Sequence, residues 1–510
     1  MSTRTTADPH ADSIPADAGQ EEAPFADAIR AFHEREMLAF GIPAHAAGAG
    51  PLPDAAAWTG ADAVRADPPL SHGLDTRDRA WGVQATAQRL FAEAIGARRS
   101  WFSTSGSSMS VRVALLALGA PDREVVIARN GHKSTFAGLV LSGARPIWVE
   151  PVYDEDLEIA LGPRPEDVAA ALDAHPGAAG ALVFTPSYYG TACDVAGIAD
   201  ACHERGVPLV TDDAWGLDLE LVDHPDLPRG SLSQGADLAI GSAHKTLGAL
   251  AQTSVLSLGS DRIDPDLIQR CFELEESTST SALLLSSIDG ARRQFAREGR
   301  DLADRALATA ELLRGRLADE VPELPVVAPE RLAAREGVVG VLPTRVMLET
   351  GAIGLSGFAA DDWLRDERHV DVELADHRRI MPLITCFHGP EHVDRLVAAL
   401  RDLVDAHRGD APPPGPLPAG RQLRTEQAMR PRDAFFGPTA MVDASDAAGR
   451  ISAELVTPYP PGIAVLAPGE RITDRTVDHL RRIVDAGAFV EGATDHRLHR
   501  FRVVTEERSA

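Results

Sequence analysis

The sequence predicts an α/β fold: a large domain on a mainly parallel sheet with helices on its faces, then a smaller α+β C-terminal domain. Two observations carry this. Strand-like and helix-like segments alternate from Gln84 to Arg205, the pattern of βαβ units. Charged residues also stand at the ends of two apolar strand-like runs: Asp212 after Val207-Pro208-Leu209-Val210-Thr211, and Lys245 shortly after Ala236-Asp237-Leu238-Ala239-Ile240-Gly241. Ligands of open α/β sheets gather at the carboxyl ends of strands.

Taken in order, residues 1–22 are polar and read as disordered. Apolar residues at Phe25, Ile29, Phe32 and Leu38 mark an amphipathic helix, the start of an N-terminal helix and arm over 23–83 that includes a Gly/Ala/Pro-rich stretch from Gly41 to Pro53. The large domain spans 84–330. It has a helix through Leu90, a strand Ser100-Trp101-Phe102-Ser103, a helix from Ser108 to Leu118, and a strand Glu124-Val125-Val126-Ile127-Ala128. There follow a helix after His132, strands at Arg145 to Val149 and Ala181 to Phe184, a helix from Val195 to Arg205, and a long helix from Leu283 to Leu317. A small domain over 337–405 opens with Val338-Val339-Gly340-Val341-Leu342, a strand candidate stopped by Pro343. The Pro-rich break Ala411-Pro412-Pro413-Pro414-Gly415-Pro416 lies in a stiff linker, 406–421, before a folded C-terminal domain, 422–510.

With 510 residues, 44% of them hydrophobic, the chain has enough apolar surface for a large core. A net charge of −26 with no basic stripe excludes nucleic acid as a partner. No run of eighteen apolar residues exists to span a membrane, and no apolar h-region marks a secretory signal. Cys193, Cys202, Cys271 and Cys386 form no C-x-x-C pair or metal-like spacing, so reduced thiols in a cytoplasmic protein, without a metal, are expected.

Lys245 and Asp212 have the chemistry that pyridoxal 5'-phosphate requires. A lysine amine forms a Schiff base with the cofactor aldehyde, and a carboxylate keeps the ring nitrogen protonated so that the ring accepts electrons. Thr104-Ser105-Gly106-Ser107-Ser108-Met109-Ser110, between a strand and a helix, offers N–H groups and hydroxyls to a phosphate. Alone it reads equally as a serine-rich N-cap. His132, in Arg129-Asn130-Gly131-His132-Lys133-Ser134, is placed to stack on a pyridine ring, although an isolated His is more often structural. Asp212 and Asp213 point to opposite faces of a strand and so do not grip one metal ion. Lys133 is the competing lysine, without the Ser-x-His context of Lys245.

Together these motifs resemble the Orn/Lys/Arg decarboxylase family of fold-type-I pyridoxal phosphate enzymes, from about Phe25 to Gly487. The resemblance also rests on Thr185-Pro186-Ser187-Tyr188-Tyr189-Gly190, Gln252-Thr253-Ser254, Ser277-Thr278-Ser279, Tyr459-Pro460-Pro461-Gly462 and Pro468-Gly469-Glu470. It implies Lys245 as the Schiff-base lysine, Asp212 as the ring-nitrogen partner and His132 as the stacking residue. Gly106, Ser107, Ser108 and Ser242 are implied around the phosphate, with His244, Ala214 and Trp215 close by. Thr278 or Ser279 would reach a neighbouring subunit's cofactor, in a homodimer or an assembly of dimers. The chain resembles the short form of the family, without an N-terminal wing domain. It departs from the pattern at Pro43-Ala44-His45-Ala46, where the family has Pro-Gly-His-Lys, and at Thr280-Ser281-Ala282, where a Pro and an aromatic are missing. These stretches bear on substrate recognition.

The activity so implied is decarboxylation of lysine, ornithine or arginine, with Lys245 or His244 returning a proton to the α-carbon. Glu454 and Asp213 are the candidates to meet the distal cation. The competing readings are an aminotransferase or oxidase-type reaction on the same cofactor, and a non-catalytic homologue.

Overall fold

A computed structural model describes residues 18–35, 40, 42–48, 60–68, 70, 82–407, 423, 425–459 and 462–505. Outside the described residues lie the expected disordered start as far as residue 17, Leu38, much of the Gly41 to Pro53 stretch, the Pro-rich break, Pro460 and Pro461. The chain divides into two compact units. The first comprises Met1–Val113, Asp213–Asp223 and Arg229–Arg300, and the second Ala114–Asp212, His224–Pro228 and Asp301–Ala510. They interleave along the chain because hydrogen-bonded neighbours, not sequence order, place a strand.

In the first unit, strand Ser254–Leu258 pairs antiparallel with Arg99–Ser103 on one side and with Leu238–Gly241 on the other. Trp101 and Phe102 are buried here, and Phe102 meets Phe91 of helix Val83–Ala94 edge to face, ring centroids 5.7 Å apart. Helix Pro24–Glu34 buries Phe25 and Ile29, its expected apolar face. The entry to this helix is held by a buried ion pair. Asp289 accepts the Phe25 N–H at 2.8 Å and faces Arg292 at 2.8 Å, and Arg292 donates to the Gln20 and Glu22 carbonyls.

The second unit has the parallel strands the alternating pattern predicts. Glu124–Ala128 pairs with Arg145–Val149 and with Ala181–Phe184, which in turn pairs with Leu209–Asp213 through Asp212. Their burial patterns are nearly continuous, as expected for strands covered on both faces. Helix Val195–His203 begins where the Asp194 carboxylate accepts the Gly197 N–H at 2.9 Å, a cap worth about 1 kcal/mol. The strand expected at Val338 to Leu342 is shorter, Gly340–Val341, because its antiparallel partner Thr191–Ala192 has only two residues. Helix Pro390–His407 packs Val397, Leu400 and Leu403 against Leu313 and Leu317 of the long helix Ala282–Glu320. The C-terminal part is α+β: Thr439–Asp443 pairs with Arg500–Val504, Thr457–Tyr459 pairs with Phe489–Glu491, and helix Asp474–Asp485 contributes Val477 and Leu480 to their core. Among the described residues, no helix is long and apolar enough to cross a membrane. All four cysteines are buried, and among the described residues none forms a disulfide.

Candidate active site

Lys245 lies on a single helical turn, Ala243–Thr246, that follows strand Leu238–Gly241 directly. Its Nζ stands 4.0 Å from the centroid of the Trp215 ring, a cation–π contact that orients the amine. Trp215 is delivered by a turn in which the Gly216 N–H donates to the Asp213 carbonyl at 2.8 Å, with Ala214 buried inside it. The approach depends on Gly241, where a Cβ would come within 2.4 Å of Leu217. Beside Lys245, His244 engages the Thr253 carbonyl through Nδ1 at 2.9 Å. Burial, with the neighbouring Lys245 charge, lowers its pKa from the usual 6.5.

Helix Gly106–Leu118, also in the first unit as far as Val113, starts at a glycine with φ of 73°. A Cβ on Gly106 would meet no atom within 4 Å, so the space beside this turn is open. Ser107 and Ser108 occupy the first helical turn, and the buried Ser242 hydroxyl donates to Ser107 Oγ at 2.8 Å. N–H groups and three hydroxyls around open space, in the same unit as Lys245, fit a phosphate-bearing aldehyde.

Glu276 is a residue the sequence reading missed. Buried just beyond helix Pro265–Glu275, it accepts the Ser277 N–H at 3.0 Å and the Ser105 hydroxyl at 3.3 Å. It therefore ties the Ser105-Gly106 turn to the loop bearing Thr278 and Ser279, both exposed in the protomer. The one available signal was its adjacency to Ser277-Thr278-Ser279.

In the second unit, Asp212 is buried within its strand, opposite Phe184. The strand extends past Thr211 to Asp213. Tyr188 stacks on Phe184 at 4.8 Å, and its phenol is pushed well above its usual pKa by burial first and then by the Asp212 charge. Tyr188 is thus a second neighbour of the site that sequence alone left without a role. His132 caps helix Lys133–Ser142 with Nδ1, which accepts the Ser134 N–H at 3.2 Å. A bridge from His132 to Ile463 brings Gly462 beside the imidazole, where a Cβ added at Gly462 would lie 3.6 Å from His132 Cδ2. The cap holds the ring in place. The rival Lys133 is paired with Glu491.

The two substrate candidates are engaged inside the fold. Asp213 accepts the Ser231 hydroxyl at 2.5 Å. Both oxygens of Glu454 take backbone N–H groups, from Thr494 and Arg502, each at 2.8 Å, although Glu454 also lines a cavity of about 550 Å³ with Lys133 and Glu491. A buried carboxylate in water-poor surroundings needs such donors, and here the backbone supplies them.

Comparison with known proteins gives a consistent picture. The chain matches the profile of the Orn/Lys/Arg decarboxylase major domain over residues 23–388 and that of the Orn/Lys/Arg decarboxylase C-terminal domain over 420–491. It is 34% identical over 502 residues to arginine decarboxylase of Bacillus subtilis, covering 96% of this chain and 99% of that protein. It is also 34% identical over 490 residues to arginine decarboxylase of Halalkalibacterium halodurans, covering 96% and 98%. Among solved structures, lysine decarboxylase LdcF of Francisella novicida superposes with a TM-score of 0.78 at 19% identity, covering 95% of this chain and 81% of that one. At that identity the likeness is one of fold.

Proposed function

Because the chain belongs to the Orn/Lys/Arg decarboxylase family, we propose that this decarboxylase uses pyridoxal 5'-phosphate and that its basic amino-acid substrate is arginine. The observation that carries the cofactor assignment is the pairing, in one unit, of the Lys245 amine over Trp215 with the open Gly106 to Ser108 turn. The choice of arginine rests on the two relatives of that activity, each matched over nearly its whole length.

When bound, the cofactor supplies an electron sink for the pair released as the bond from the α-carbon to the carboxylate breaks. The chain's own residues do the rest. Ser107, Ser108 and Ser242 hold the phosphate, and Lys245 holds the aldehyde carbon. Asp212, buried at the end of its strand, would hold a proton on the ring nitrogen. By the family resemblance His132, which caps its helix through the Ser134 N–H, would stack on the ring, and Ala214 and Trp215 would stand near the cofactor. Carbon dioxide leaves, and a proton takes its place on the α-carbon. Burial and the neighbouring Lys245 charge disfavour a charged His244, which favours the Lys245 ammonium over His244 as the proton source. Thr278 and Ser279 are exposed, as residues serving a neighbouring subunit's cofactor would be, and the proposed active form is a homodimer.

Borohydride reduction and peptide mapping test the cofactor link, with parallel measurement of carbon dioxide and amine from arginine, lysine and ornithine. A pyridoxyl group on Lys245 and amine from arginine are expected. An unmodified Lys245 would overturn the cofactor assignment, and a clear preference for lysine or ornithine the substrate assignment.

A further inference from the structure

Lys245 and Trp215 lie in the same unit, on two turns that the backbone fastens together. The Asp218 N–H, from the helix that follows Trp215, donates at 3.3 Å to Oγ1 of Thr246, next to Lys245. On the lysine side, the Ala243 N–H donates to the Thr253 carbonyl at 3.1 Å and the Leu247 N–H to the Ala243 carbonyl at 3.0 Å. On the tryptophan side, the Gly216 bond to Asp213 sets the turn, and Trp215 is only 5% exposed. The ammonium lies 4.0 Å from its ring centroid, whereas the guanidinium carbons of Arg99, Arg368 and Arg432 lie 4.7, 4.8 and 5.2 Å from theirs. The closest of these contacts is therefore the one made by the candidate Schiff-base lysine.

Lys245 is half-buried, and burial by itself favours a neutral amine. Of the elements packed against its turn, strand Ser254–Leu258 carries no titratable group and helix Leu217–Leu221 carries Asp218 and Glu220. Glu220 accepts the Leu232 N–H at 2.9 Å, and Asp213, at the head of the Trp215 turn, accepts the Ser231 hydroxyl at 2.5 Å. In the turn itself, His244 is pushed towards its neutral form by burial, with the Lys245 charge acting the same way. A ring face shielded from water attracts a cation more strongly than an exposed one, so the Trp215 indole is suited to offset what burial costs the ammonium.

We propose that Trp215 is a positioning residue for the return of the proton: its π face keeps Lys245 charged and aligned whenever that amine is not bound to the cofactor. The proposal rests on the reading of Lys245 as the proton source. The ammonium gives its proton to the α-carbon and keeps the nitrogen lone pair. The neutral amine so formed gains little from the ring, which frees it to attack the aldehyde again.

Trace acetylation of the full-length protein freed of cofactor, over a pH series and read at Lys245 by peptide mass spectrometry, tests this, since only the neutral amine reacts. A change of access scales the rate at every pH, and simple loss of packing would hydrate the ammonium and move the midpoint up. Trp215→Leu is expected instead to move the midpoint about one unit lower, with Trp215→Phe restoring part of the shift. Protein made with 5-fluorotryptophan keeps the side chain's shape while drawing charge from the ring, so it serves even where Trp215→Leu does not fold. Its midpoint is expected to fall by a smaller step in the same direction. A midpoint that does not move with fluorination, or one that rises in Trp215→Leu, overturns the proposal. In the loaded enzyme, Trp215→Phe is expected to lower kcat with KM unchanged, and a raised KM with kcat unchanged would make Trp215 a substrate contact instead. Borohydride mapping reports on the cofactor assignment alone and the acetylation series needs no cofactor, so the two readings fail separately.

Discussion

Glu276 anchors the turn that precedes Ser107 without being part of the cradle itself. Replacing it with Ala removes the acceptor of the Ser277 N–H and the Ser105 hydroxyl, and a hydrogen bond to a charged group is worth about 1.5–3 kcal/mol. Glu276→Ala is therefore expected to weaken cofactor binding about tenfold in a fluorescence titration of the apoenzyme, with Glu276→Gln restoring most of it. The place of Lys245 just after a strand was legible in the sequence because an apolar run precedes it. Glu276 was not, because a Glu after a helix is common and its role depends on a turn about 170 positions earlier coming close. Tyr188 was quoted as part of a motif, but only its stacking on Phe184 gives it a place beside Asp212.

Helix Leu217–Leu221 follows the Trp215 turn and carries a half-buried residue, Glu220, near its end. Burial pushes its pKa up from 4.5 to about 7, against the Leu232 and Ser231 N–H groups that favour the charged form. A folded-state pKa raised above the unfolded value gives stability that is complete below about 4.5 and is lost as pH rises through about 7. Glu220→Gln keeps an acceptor for the Leu232 N–H without the buried charge. It is expected to melt a few degrees above wild type at pH 8 and alike at pH 5, by calorimetry at both pH values. At the N-terminal helix, Asp289→Ala leaves Arg292 buried without its carboxylate and costs on the order of 3 kcal/mol. Limited proteolysis should then cut near residues 18–25 first, since Asp289 and Arg292 hold the Gln20, Glu22 and Phe25 backbone. Most elements were legible from apolar periodicity. The extent of Leu209–Asp213 was not, because the apolar run stops at Thr211 and only pairing with Phe184 shows that the ladder reaches Asp212.

Across the second unit, two motifs that the sequence shows far apart form one structure. Arg129, from the His132 loop, and Glu470, from Pro468-Gly469-Glu470, are separated by 341 positions and joined by two hydrogen bonds, with Glu470 also accepting the Ala467 N–H at 2.8 Å. Arg129 lies over the Phe136 and Trp148 rings as well. Glu470→Ala strands a mostly buried guanidinium and is expected to cost about 3–5 kcal/mol, read as a lowered melting temperature. The loss of anchorage should also reach His132, lowering kcat for carbon dioxide release more than it raises KM.

What the sequence determined by itself was the alternation of strands and helices, the family, and the residues whose chemistry needs only a local setting: a lysine after a strand, serines at a helix start, a histidine before a helix. Those features are written in short stretches, where periodicity and turn chemistry act over a few residues. Only the tertiary structure decided that Glu454 and Asp213 are held by internal donors, that Lys133 pairs with Glu491, and that Glu276, Tyr188 and Glu470 contact Ser105, Phe184 and Arg129. Each of these depends on which distant group comes within a hydrogen bond's reach, and that is set by the packing of the whole chain.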